Sequence, residues 1–184
     1  MKQRMILMAV ACLLLSAVAA FAQSKPDFSG EWTLDVSKSK VNNIESGTMT
    51  VTQTDKDITF KTDFKRAPRP EGDSAGGGNG GGMRAGGGRG MGGNQPITYT
   101  LDGKEVTREI GGGQMTGTAK MKADWDGAKL NFTSIRTFNT PNGEVTSTLK
   151  ETWELVDGGK ALKVTRVTES PRGTQNSEFY YTKK

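Results

Sequence analysis

Along most of the chain, Thr, Val, Ile and aromatic residues alternate with polar ones at period two, and compact turns interrupt the alternation. Asp-Gly, Asn-Gly and Gly-Gly supply the punctuation. The pattern predicts ten strands, at about 28–35, 47–54, 57–64, 96–101, 104–110, 115–125, 128–138, 144–156, 160–169 and 174–183. No window carries an apolar stripe of helical period. The expected class is all-β: an antiparallel meander of about ten strands, closed into a barrel.

A two-residue hairpin loop fixes which residues face each other, so the turns test the pattern. Asp126-Gly127 as a loop sets Trp125 opposite Ala128, Ala123 opposite Leu130, Met121 opposite Phe132 and Met115 opposite Phe138. Asp102-Gly103 sets Tyr99 against Val106, and Asn142-Gly143 sets Phe138 against Ser147. Gly158-Gly159 sets Leu155 against Leu162 and Trp153 against Val164. Pro171-Arg172 brings Val164 to Phe179 and Leu162 to Tyr181. In each hairpin the apolar residues of both strands share one face, with Ile135, Val167 and Tyr180 as exceptions.

The meander begins after a different kind of segment. Lys2 and Arg4 precede an uncharged run from Met5 to Val18, and Ala20-Phe21-Ala22 fits the small-x-small cleavage rule. Residues 1–22 therefore read as a secretory signal peptide. Residues 23–184 form a single-domain mature chain without a transmembrane span, exported to the periplasm or outside the cell. Cleavage removes Cys12, the chain's one cysteine, and histidine is absent altogether. The mature chain thus lacks the residues of zinc sites, Ser-His-Asp triads and Cys-His dyads. No metal and no cofactor is expected. The formal net charge of +5 loses Lys2 and Arg4 with the leader and becomes +3, too mild for a nucleic-acid partner. Asp124 and Asp126, like Asp55 and Asp57, flank tight turns, where aspartate suits the backbone, so no enzyme activity is expected.

Residues 68–95 break the alternation with a Gly-rich insertion between the third and fourth strands. Few of its side chains could offset the entropy of ordering, so a disordered loop is expected.

The mature chain opens Asp27-Phe28-Ser29-Gly30-Glu31-Trp32-Thr33-Leu34. A Gly-x-Trp on the first strand of an antiparallel meander resembles the lipocalin and fatty-acid-binding protein (calycin) superfamily, and secreted bacterial proteins described as lipocalin-like. The resemblance implies a barrel in which Trp32 plugs one end and Gly30 lets the backbone pass closely. The lipocalin Thr-Asp-Tyr pattern is missing, and the sequence does not reveal the arginine that packs on the family's tryptophan. Residues 36–46 are too few for the two-helix lid of fatty-acid-binding proteins.

The same registers carry polar residues onto the apolar face. Glu151 is expected opposite Arg166 across one hairpin and opposite Ser134 across another, with Arg136 diagonally beside it; Arg108 shares the facing of Val106. Buried charges must be paired or hydrated, and arginines inside a barrel suit a carboxylate or phosphate head. The candidate ligand-binding residues are therefore Arg136, Glu151, Arg166 and Arg108, with Phe60, Tyr99, Phe132, Trp153 and Leu162 as an apolar wall. Two functions are expected: a binding module for a small hydrophobic or amphiphilic ligand, or a structural or interaction protein of the cell envelope with a packed barrel.

Overall fold

A computed structural model describes residues 25–67, 95–112, 115–141 and 143–184. Residues 1–24 and nearly all of the Gly-rich stretch 68–95, with the expectations attached to them, lie outside the described residues. Ten strands follow one another: β1 Gly30–Leu34, β2 Ile44–Gln53, β3 Asp57–Arg66, β4 Ile97–Thr100, β5 Val106–Gly112, β6 Met115–Asp126, β7 Lys129–Thr140, β8 Gly143–Val156, β9 Ala161–Ser170 and β10 Gly173–Lys183. A single-turn 3-10 helix, Asp157–Gly159, joins β8 to β9.

All ten strands form one antiparallel sheet, in the order β4-β3-β2-β1-β10-β9-β8-β7-β6-β5. The first and last strands pair, with Trp32 opposite Lys183 and Leu34 opposite Tyr181. The edges are β4 and β5. Arg108 Nη2 of β5 donates to the Thr98 carbonyl of β4 at 3.2 Å, so the two edges meet at a seam bridged by a side chain.

The alternation works as the period of a strand requires. Met49, Val51, Ile58, Phe60, Met121, Leu130, Phe132, Trp153, Leu162, Val164 and Phe179 point inward and are buried. Most threonines and charges face out, where Lys129–Glu154 (3.2 Å), Lys150–Glu169 (3.0 Å) and Lys163–Glu178 (3.0 Å) pair across strands. Such exposed pairs contribute about 0.2–1 kcal/mol each. Tyr180 faces out as well, and its hydroxyl donates to Asp157 Oδ2 at 2.5 Å.

Two of the expected registers hold: Trp153 faces Val164 and Leu155 faces Leu162, while Val164 faces Phe179 and Leu162 faces Tyr181. Two are displaced by two residues. Asp126 pairs with Lys129, so Gly127-Ala128 is the loop; Ala123 faces Phe132, Met121 faces Ser134 and Gly117, not Met115, faces Phe138. Gly127 has φ +58°, which suits the first central position of a mirror-type hairpin turn. Thr140 pairs with Gly143, so Phe138 faces Val145 rather than Ser147.

The pairing of Tyr99 with Val106 is overturned. Tyr99 pairs with Ile58 of β3, and β4 makes no ladder with β5. Asp102 Oδ1 accepts from the Lys104 amide at 3.0 Å, so Asp102-Gly103 turns the chain locally without closing a hairpin.

Gly117 marks a place where β6 and β7 approach too closely for any side chain. A Cβ there would run into the Thr137 carbonyl oxygen, which belongs to the backbone and cannot swing aside. Gly117→Ala should lower stability by about 1–3 kcal/mol, the usual cost of overpacking, measurable as a lower urea midpoint at unchanged slope. A midpoint equal to the parent's would show that the ladder yields without strain.

Candidate functional site: a sealed floor and a half-open polar mouth

Trp32 of β1 is fully buried beside the β1–β10 ladder; its Nε1 donates to the Phe28 carbonyl at 2.9 Å. Lys183 Nζ lies 5.3 Å from the Trp32 ring centroid, so the cation over this ring is a lysine from the end of β10 rather than an arginine. Gly30, at φ +133°, leaves room for it: a Cβ there would stand 3.0 Å from Lys183 Cε. Lysine 183 escaped the sequence reading because only closure of β1 on β10 sets it beside Trp32.

Phe60, Tyr99, Phe132 and Trp153 pack directly on one another. Centroid separations are 4.9 Å for Phe60–Trp153, Phe132–Trp153 and Tyr99–Phe132, and 5.6 Å for Phe60–Phe132. Phe60 stands on β3 and Trp153 on β8, five strands away around the sheet, so rings from opposite walls touch. With Leu162, wholly buried beside them, these five residues form a filled floor.

The polar candidates begin at the same level and continue upward. Glu151 is 5 % exposed, faces Phe132 on one side and Arg166 on the other, and accepts from Arg166 Nε at 2.5 Å. Trp153 Nε1 donates to its second oxygen at 3.1 Å. The Arg166 side chain is 26 % exposed and lies over Phe179, with its guanidinium carbon 4.6 Å from the ring centroid. Phe179 in turn stacks on Phe64 at 5.7 Å. Neither ring was an expected site residue, although the Phe179 register was legible.

The displaced registers rearrange the rest. Ser134 faces Leu149, not Glu151, and becomes its diagonal neighbour; Arg136 stands opposite Ser147, one inward position higher, and is not beside Glu151. Both nevertheless keep the inner face, because a shift of two preserves facing. Arg108 faces Ala119 but is exposed, with its guanidinium at the seam.

Tyr99 registers this convergence electrostatically. Burial pushes its phenol up and Glu151 adds to the rise, whereas Arg136, Arg166 and Arg108 pull it back. The phenol of Tyr181 is likewise pushed up, chiefly by burial, so both rings keep their protons at neutral pH. Burial lowers Arg136, with Tyr99 opposing, yet guanidinium stays charged in proteins.

Burial is graded along the inner face. On β7 it falls from Leu130, Phe132 and Ser134, all buried, to half-buried Arg136 and Phe138. On β8 it falls from Trp153 and Glu151 to Leu149, Ser147 and Val145, and on β9 from Leu162 and Val164 to Arg166 and Thr168. Three adjacent strands therefore open at the same end, where Phe138, Val145, Leu149 and Ile110 stand beside the arginines. The arrangement can receive an acidic group against guanidinium and an apolar chain against the rim.

Fold and site together define a ten-stranded antiparallel barrel with a sealed aromatic floor and a half-open mouth of mixed polarity. No family model matches the chain, and no curated protein matches it. Among solved structures it is similar to zebrafish ileal bile acid-binding protein complexed with cholic acid. The two are 17% identical, the match covers 85% of this chain and 98% of that chain, and the TM-score is 0.43.

Proposed function

We propose that this protein is an exported binding module that holds one small amphiphile in the mouth of its barrel, with an acidic head against Arg136 and Arg166 and the tail toward the rim. The graded burial of the inner face carries this reading. A barrel built only for stability gains by closing both ends, whereas here one end is sealed by rings and the other leaves apolar and cationic side chains partly wet. Among the inward side chains of the band, Arg136 and Arg166 outweigh Glu151, which favours an anion. The leader at residues 1–22 supports export.

Contact between Phe60 and Trp153 favours a second reading, an interaction protein whose interior is occupied by its own side chains. Native mass spectrometry of protein purified from the cell envelope separates the two. The expected species begins at Gln23 and carries a fatty acid or similar adduct that organic solvent removes. Bare protein, together with no saturable response to an anionic fluorescent lipid probe, would support the packed interior. A mass retaining residues 1–22 would overturn the export assignment alone.

A further inference from the structure

Ser134 is 1 % exposed, and its Oγ has no hydrogen-bond partner among the described residues. Interiors avoid such a group, because a buried hydroxyl gives up water and gains nothing unless something bonds it. Its ladder neighbours do not supply the bond: Met121 faces it from β6 and Leu149 from β8. A methyl group would serve this position better if packing were its whole task. The polar groups nearby stand one step off. Arg136 is the next inward residue on β7, roughly 7 Å along the strand, and Glu151 lies diagonally on β8, already engaged by Arg166 and Trp153. Ser134 thus sits where the filled floor ends and the mouth begins.

Resting on the binding reading above, we propose that Ser134 is a specificity-determining residue: its hydroxyl donates to one oxygen of the ligand's acidic head while Arg136 takes the other. The ligand class is then a monoanionic amphiphile entering head first and stopping at the Ser134 level, above the Phe132 and Trp153 rings. A serine on a strand has a short reach and few rotamers, so it sets the depth at which the head rests. The long guanidinium of Arg136 supplies charge and adapts to that position.

The test uses the full mature chain, decanoate and 1-decanol as probes, titration calorimetry, and thermal unfolding without ligand. Ser134→Ala is expected to weaken decanoate binding by about tenfold or more, since a hydrogen bond to a charged group is lost. Ser134→Thr should restore most of the affinity, and 1-decanol, weaker from the start, should change little. Without ligand, Ser134→Ala should melt at or above the parent temperature, because an unsatisfied group has been removed. Parent-like decanoate binding by Ser134→Ala, or unfolding well below the parent, would overturn the assignment of Ser134 alone. Absence of decanoate binding by the parent protein would overturn the binding reading and this inference together.

Discussion

Replacing Trp153 by alanine should lower the unfolding free energy by about 3–5 kcal/mol, the usual cost of removing a large buried ring. The side chain is 1 % exposed and meets Phe28 at 5.8 Å, Phe60 at 4.9 Å and Phe132 at 4.9 Å, so it touches rings from β7 across its own hairpin, from β3 on the opposite wall, and from the residues leading into β1. Three ring contacts vanish together, and the surrounding strands are held by ladders that cannot collapse into the gap. Glu151 also loses the indole N–H that occupies its second oxygen. Domains of this size are stable by only about 5–15 kcal/mol, so the variant should unfold early in urea. A loss below about 1 kcal/mol would mean that the floor is loosely packed.

Glu151→Ala should be nearly as severe, at about 3 kcal/mol, because it strands a guanidinium in a mostly buried position. The exposure of Arg166 lets some water reach the charge and keeps the cost at the lower end for buried pairs. Replacing both partners by leucine is expected to be close to neutral, because the desolvation of two ions is then no longer required. Urea titrations of the single and double variants give the coupling directly. If Glu151→Ala unfolds within about 0.5 kcal/mol of the parent, water already solvates Arg166 fully. The contrast has a functional corollary under the proposed reading: the double variant should keep its fold and lose its affinity for acids.

Most of the architecture was legible because alternation states directly which side of a strand is apolar. Facing survives an error of two residues, so Ser134 and Arg136 were placed on the inner surface despite two displaced hairpins. Register does not survive it. Whether Asp126-Gly127 or Gly127-Ala128 forms the loop turns on the backbone at Asp126, which a type I′ Asp-Gly loop would need at positive φ and which does not adopt it, while residue types permit both. The Glu151–Arg166 pair was recoverable because the Gly158-Gly159 turn admits the expected register even with a 3-10 turn inserted. By contrast, the filling of the floor could not be read. Alternation says that Phe60 and Trp153 point inward, but only the curvature of the sheet decides whether inward rings leave space or meet. The seam between β4 and β5 was hidden for a related reason, since Tyr99 can satisfy its backbone from β3 alone.

The joining of β1 to β10 has a consequence for how the chain acquires its shape. Every other ladder links neighbours in sequence and can form as the polypeptide is made, but β1 keeps one side unsatisfied until the residues near Lys183 are available. Lys184 then reaches back to Glu31 through its amide at 2.9 Å and its ammonium at 3.3 Å. Ring closure over so long a span is slow, although its entropic cost grows only gently with length. Until that last stitch is made, the Trp32 indole lacks its lysine cover, and the nascent protein presents two sticky strand edges to its surroundings.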